Sequence, residues 1–110
     1  MKALYWQRGE TLDYMNGTDA KIEANTVMVI GDKIGVAGTD IPAGQMGSVH
    51  VSGVFEMDKA DSTDIPIGKT VYFSEAGITA TAVEGSTTLA GFAAASAAAD
   101  ATKIFVKLNG

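Results

Sequence analysis

Ser48-Val49-His50-Val51-Ser52-Gly53-Val54-Phe55-Glu56-Met57 is the stretch on which the fold class turns. Val49, Val51, Phe55 and Met57 share one parity with Gly53 between them, while Ser48, His50, Ser52 and Glu56 share the other. That is the period-two alternation of a half-buried strand, and a helix has no use for it. Val54 interrupts the polar face, and Gly53 marks a bulge or a close approach of backbones. The ten residues are therefore expected to form one strand.

The same grammar extends in both directions. Upstream, Thr26–Ile30 and Lys33–Ala37 flank Gly31-Asp32, a hairpin with a two-residue turn whose glycine can take positive φ. Downstream, Thr70–Phe73 leads through Ser74-Glu75-Ala76-Gly77 into Ile78–Ala82, and Leu89–Ala94 and Lys103–Leu108 complete the set. In the last of these Ile104, Val106 and Leu108 share a face opposite Lys103 and Lys107. Ala93–Ala101 holds seven alanines in nine residues. Intrinsic propensity favours a helix there, but nine residues between two strands are short for one. A strand end at Ala93 and Ala94 followed by a tight connection or a single helical turn is expected. The fold class is thus all-β and mainly antiparallel, a compact barrel-like or β-clip-like single domain with at most one short helical turn.

Composition agrees. The chain has 110 residues, 13 glycines and only 19% charged residues, whereas helical proteins of this size carry more Glu, Lys and Leu at helical spacing. Folding at 11.3 kDa hides roughly 65% of the unfolded surface, enough for one modest core that oligomerisation or docking would reinforce. The net charge is -5 and the eight Lys and Arg are scattered singly, so phosphate neutralisation by a cationic cluster is not available and nucleic-acid binding is not expected. There is no cysteine for a disulfide or thiolate metal site. Arg8 and Glu10 interrupt any leader-like apolar run, and Leu89–Ala99 is too short and too rich in alanine to span a bilayer. No membrane association is expected, and the protein reads as soluble and made in the cytoplasm.

Thr39-Asp40-Ile41-Pro42-Ala43-Gly44 recurs as Thr63-Asp64-Ile65-Pro66-Ile67-Gly68, and a β run follows each copy. The reading is a reused corner in which Pro fixes φ, Gly permits the reversal and Ile plugs the core beneath. Two copies are too few for a solenoid.

Chemistry-bearing motifs are scarce. Gly68-Lys69-Thr70 resembles the tail of a phosphate-binding loop, but the position five before Gly68 is Thr63 rather than glycine, and Val71-Tyr72-Phe73 reads as a strand where a helix is required. Lys69 is expected in a solvated turn. His50 is the only histidine and lies on a polar strand face without a nucleophile or orienting carboxylate assigned to it. Asp58, Asp61 and Asp64 lack the ligand spacing, mid-loop glycine and terminal Glu of a calcium loop and read as solvated loop charge. No catalytic residues, no metal site and no cofactor are expected, and the chain is not expected to be an enzyme.

The first fifteen residues carry the interaction signal. Tyr5, Trp6 and Leu12 are bulky groups near a chain end, interleaved with Gln7, Arg8, Gly9 and Glu10. Chain ends fray unless tied down, and aromatics and Arg are enriched at interface hot spots. Two readings stand side by side. Either Trp6 covers the domain's own core, or residues 1–15 form an arm or first strand that docks on a neighbouring protein, by adding a strand to its sheet, with 16–110 as the β-rich body.

Several stretches together resemble a family of short phage and prophage proteins regarded as capsid cement, or head-decoration, proteins. They are the aromatic start with Gly9-Glu10-Thr11-Leu12-Asp13-Tyr14, Val27–Val36 around Gly31-Asp32, Ile41-Pro42-Ala43-Gly44 and Val51-Ser52-Gly53-Val54-Phe55-Glu56. Gly68-Lys69-Thr70-Val71-Tyr72-Phe73, Leu89-Ala90-Gly91-Phe92-Ala93 and Val106-Lys107-Leu108-Asn109-Gly110 continue the match. The resemblance covers essentially the whole chain and rests on the order and spacing of these stretches. It implies a β-rich fold like the lambdoid head-decoration proteins, trimers at threefold positions of the expanded shell, the major capsid protein as partner, and a place on the outer surface of the virion after synthesis in the bacterial host. A recombinase label carried by some members does not suit an acidic chain with a strand after Lys69. On this reading Tyr5, Trp6, Arg8 and Leu12 face the capsid. Ala95 and Ala98, whose small side chains let backbones approach closely, lie between subunits. The alternative function is a receptor- or glycan-binding β module displayed on the particle, which would require exposed aromatics on loops. Only Phe73 and Phe92 lie near loop edges.

Overall fold

The computed structural model describes residues 1–109, so Gly110, the last residue of the expected 16–110 body, lies outside the described residues. Nine strands and no helix occur among them. In chain order they are β1 (Thr11–Met15), β2 (Val27–Ile30), β3 (Lys33–Ala37), β4 (Met46–His50), β5 (Val54–Asp58), β6 (Thr70–Ser74), β7 (Gly77–Thr79), β8 (Thr88–Ala93) and β9 (Lys103–Leu108). Every strand pair is antiparallel. One sheet has the order β1-β4-β3-β2 and the other β5-β9-β8-β6-β7. The second curls back on itself, because Ile78 of β7 bridges to Lys59 just after β5 and its carbonyl accepts the Ala60 N–H at 2.8 Å. The fold is the all-β, antiparallel one expected.

The stretch Ser48–Met57 is two strands rather than one. β4 belongs to the first sheet and β5 to the second, and Val51–Gly53 is the corner between them. Gly53 turns the chain at φ +112°, a conformation that side chains rarely tolerate. Alternation hides the break because Val49 and Met57, on either side of it, are both buried and of the same parity. Val54, the misfit on the polar face, is exposed. Two smaller boundaries also move. The strand expected over Ile78–Ala82 ends at Thr79, because the Asp61 carboxylate takes the Ala80 N–H (2.9 Å) and the Thr79 hydroxyl (3.0 Å) and draws the chain out of the ladder. β8 ends at Ala93, and Ala94–Ala101 is a tight small-residue connection of bends and one turn closed from Ala101 N–H to Ala98, with no helix. The hairpin at Gly31-Asp32 is as expected, with Gly31 at φ +61°.

The main core gathers Met57, Ile65, Val71, Ile78, Ala90, Ala93, Ala97, Ile104, Val106 and Leu108 from the curled sheet and Ile34 and Val36 from β3 of the other. β3 is thus the strand that joins the two sheets. Each fully buried Ile or Leu here contributes roughly 1.5–3 kcal/mol. A second, smaller cluster of Ala37, Ile41 and Val49 lies on the other face of the first sheet, under half-buried Tyr14, Ile22, Met28 and Ile30.

The two Thr-Asp-Ile-Pro-x-Gly copies build the same object. Ile41 and Ile65 are both completely buried. Each makes a two-way backbone bridge, Ile41 with Ile22 and Ile65 with Ala97. Asp40 accepts the Ala24 N–H at 2.8 Å and Asp64 the Ala99 N–H at 2.7 Å, each two residues beyond the bridge. Gly44 and Gly68 take φ +74° and +85° in turns closed from Gln45 N–H to Pro42 and from Lys69 N–H to Pro66. Gly44 N–H reaches Asn16 and Gly68 N–H reaches Ala93, at 2.8 Å in both. The strands follow suit: the corner leads into β4, paired with β1, or into β6, paired with β8. In the first half the paired strand precedes the corner, and in the second it follows. The shared unit is thus the corner, its bridge and one strand pair, in different chain order in the two halves.

Candidate interaction surface

β1 is an edge strand. It pairs along its length with β4, from Thr11↔His50 to Met15↔Met46, and no other strand among the described residues covers its far side. The ladder reaches one step further, where Val51 N–H donates to Glu10 at 2.9 Å. Beyond Glu10 the chain turns at Gly9, φ +80°, and residues 1–9 run free of secondary structure. Tyr5 and Trp6 are each 84% exposed and Leu4 95% exposed, so Trp6 covers no part of the domain's own core. Residues 1–9 carry Lys2 and Arg8 and no carboxylate, although the whole chain is -5. The arm is therefore an apolar, cationic segment leaving an acidic body.

Leu12, 39% exposed, stands at the root of this arm. With Ile30, Lys33, Val51 and Asn109 it lines a groove of about 290 Å³ on the outer face of the first sheet. Asn109 hangs there by its amide, which donates to Val51 at 2.8 Å and Ile34 at 3.1 Å, while its Oδ1 is buried without a partner among the described residues. Tyr5, Trp6 and Arg8 thus lie on the exposed segment that leads into the strand bearing Leu12. Ala95 and Ala98 belong elsewhere, in the exposed connection beside the second corner.

The remaining polar residues organise turns. Asp58 pairs with Lys103, which holds that ammonium above its ordinary pKa. Asp61, half-buried, accepts the Thr79 hydroxyl and the Ala80 N–H and so is not the freely solvated loop charge expected of it, whereas Asp64 is exposed and also accepts the Ala99 N–H. No group of three His, Cys, Asp or Glu side chains that could hold a metal occurs among the described residues. Lys59, almost wholly buried, donates to Asp61 and Ala99 backbone oxygens at 2.7 and 3.3 Å and ties the two loops together. His50 is half-buried with its ring 5.8 Å from that of Phe55, a packing role at the corner between sheets. Lys69 is exposed, closes a turn onto Pro66 and leads into β6. Phe73 packs on the main core and Phe92 is half-buried, so neither offers a loop aromatic to a sugar. No helix among the described residues is long and apolar enough to cross a membrane.

Asn16, Lys59 and Asn109 escaped the sequence reading. Asn16 is fully buried, and its side chain donates to Ala20 and Ile41 (2.8 Å each) and accepts from Thr18. A single polar residue among turn formers carries no local sign of such a task.

A family model described as phage cement protein matches residues 6–108. No curated protein and no solved structure matches the chain.

Proposed function

The chain belongs to the phage cement protein family, and we propose that it binds the expanded lattice of a phage head as trimers at threefold positions and stabilises the shell against the pressure of packed DNA. Tyr5, Trp6, Arg8 and Leu12 face the major capsid protein, with the arm adding a strand to its sheet, and Ala95 and Ala98 lie between subunits. One observation carries the capsid assignment. A tryptophan and a tyrosine stand 84% exposed on a cationic arm that continues an uncovered edge strand. Such a segment gains apolar burial, backbone hydrogen bonds and charge pairing only when a partner supplies them.

Stabilisation follows from linkage. A subunit that binds the assembled, expanded lattice and not its dissociated parts adds its binding free energy to the cost of taking the lattice apart. Symmetric copies raise the effect, because each bridge engages a neighbour already in position. A threefold ring uses heterologous contacts that close. No chemical step enters this mechanism.

The test is co-sedimentation of the purified protein with unexpanded and expanded shells of the phage that encodes it. Saturable binding to expanded shells alone, with raised resistance of those shells to heat, is expected. Absence of binding to either form would overturn the reading.

A further inference from the structure

The first sheet ends in two edges that its own chain leaves open. Val51 N–H donates to Glu10, Asn16 N–H to Gln45 and Ala37 N–H to Thr26, which extends the β1–β4 and β2–β3 ladders at their ends. Antiparallel ladders bond at every second residue, so the even-numbered residues of β1 and β2 serve these ladders. The N–H and C=O groups of Thr11, Asp13 and Met15 on β1, and of Val27 and Val29 on β2, therefore point away from the sheet. No other strand among the described residues reaches them. Native edges are kept from pairing by charge, proline, a bulge or a covering segment. Val27-Met28-Val29-Ile30 has no charge, no proline and no irregularity in its register, and β1 has a single carboxylate, Asp13.

The two edges fit one another. The order β1-β4-β3-β2 has four strands, each antiparallel to the next, so β1 and β2 run in opposite directions. Tyr14 and Met28 both pack on the smaller cluster, which puts the odd-numbered residues of both edges, the ones with free backbone groups, on the other face. β1 of one copy laid beside β2 of another thus continues the sheet antiparallel, with its faces preserved and free donors opposite free acceptors. We infer that copies of the chain join in this way, β1 of one to β2 of the next. Pairing Asp13 with Val29 and Met15 with Val27 engages every residue of β2, with Leu12 opposite Ile30 and Tyr14 opposite Met28. Met15 and Val29, 50% and 49% exposed in the free chain, become diagonal neighbours across the join.

Strand chemistry selects which edges meet. Pairing β1 with β1 of a second copy sets Asp13 beside its twin, and like charges across a ladder repel. Pairing β2 with β2 leaves β1 open. Joining β1 to β2 covers both edges with one contact and sets Asp13 against a strand that carries no charge. Just beyond the paired residues Glu10 meets Asp32 of the next copy, with Lys33 and Arg8 one and two residues along, so both signs are present there. A contact between two different edges is heterologous, and three copies related by a threefold axis close it into a ring. The arm, residues 1–9, lies outside the join and stays free for the capsid. The inference rests on the trimer reading and adds to it the two strands that meet.

The experiment is sedimentation equilibrium of the whole chain and of two variants, Asp13→Pro and Val29→Pro. Both residues turn their N–H outward, so proline there removes a donor of the join and none of the chain's own ladders. The wild type is expected to associate in a concentration-dependent way, and each variant at least about tenfold more weakly. An equal mixture of the two variants is expected to form dimers and nothing larger, because Val29→Pro keeps an intact β1 and Asp13→Pro an intact β2. A wild type monomeric at every concentration, a folded variant that associates like the wild type, or a mixture that stays monomeric overturns the inference. Should a proline variant fail to fold, amide hydrogen exchange of the wild type decides. The N–H groups of Asp13, Met15, Val27 and Val29 should be protected in concentrated solution and exchange freely on dilution, and free exchange at both concentrations overturns the inference. Shell co-sedimentation of the wild type reports separately on capsid binding.

Discussion

Trp6→Ala separates an interface residue from a packing residue. An aromatic side chain offers about 200 Å² of surface, and at 84% exposure about 170 Å² of it is free to be covered by a partner. At about 25 cal/mol per Å² the ceiling is about 4 kcal/mol. Ordering the arm on docking consumes part of that, so a loss of about 2 kcal/mol or more is expected, close to a 30-fold weaker dissociation constant for expanded shells. Stability should hardly change, because the side chain covers nothing in the free chain. Surface substitutions of this kind stay within about 0.5 kcal/mol, or about 2–4 °C in melting temperature. The assay is a shell-binding isotherm by co-sedimentation alongside a thermal melt of the free protein. Affinity within about threefold of the wild type would refute the arm as the capsid contact. A fall in melting temperature of about 10 °C would refute the premise that Trp6 is unpacked.

Two further outcomes test the fold that presents the arm. Gly91 lies at φ +145° where a Cβ would be driven into the Lys107 carbonyl across the β8–β9 ladder, so Gly91→Ala should cost about 3 kcal/mol and lower the melting temperature by at least about 10 °C. A variant that melts like the wild type would show that β8 and β9 do not pair in this register. The carboxyl of Asp40 is held below 3.8 by the Ala24 N–H and by Lys21. Its contribution is therefore present above that value and is lost as pH falls through the lower, folded-state pKa. Asp40→Asn should flatten the acid limb of stability below about pH 4, and an unchanged limb in acid melts would show that the bond to Ala24 does not form.

The readable part of this molecule is the part written locally. Gly31-Asp32 specifies its hairpin because a two-residue turn needs one positive φ, and Ile104, Val106 and Leu108 announce β9 because burial on one face repeats every second residue. The corner at Val51–Gly53 was not legible. Parity of burial survives the change of sheet, so alternation runs on while the strand does not, and only Gly53 hints at the bend. The arm was half legible: bulky residues at a chain end indicated either packing or docking. Choosing between them required the exposure of Trp6, a property of where the other hundred residues go. Asn109 was invisible because its partners lie 58 and 75 residues away along the chain, and Lys59 because it ties its own loop to Ala99, 40 residues on.

The tasks within the repeated corner explain why six residues were the visible trace of the shared frame. Asp, Ile, Pro and Gly recur because each performs a task that few other residues can: a carboxylate for a free N–H, a plug, a fixed φ and a positive φ. Their partners across the corner, Ile22 and Ala24 in one half and Ala97 and Ala99 in the other, contribute backbone groups to the bridge, and any residue supplies those. Those positions are therefore free to diverge, and 16–24 shows no likeness to 93–99. The same freedom is what lets one corner keep Lys21 and Glu23 in water while the other presents Ser96 and Ala98 beside Ile67. On a frame held by the same backbone bridge, side-chain exchange alone changes what a corner presents, without altering the strands on either side.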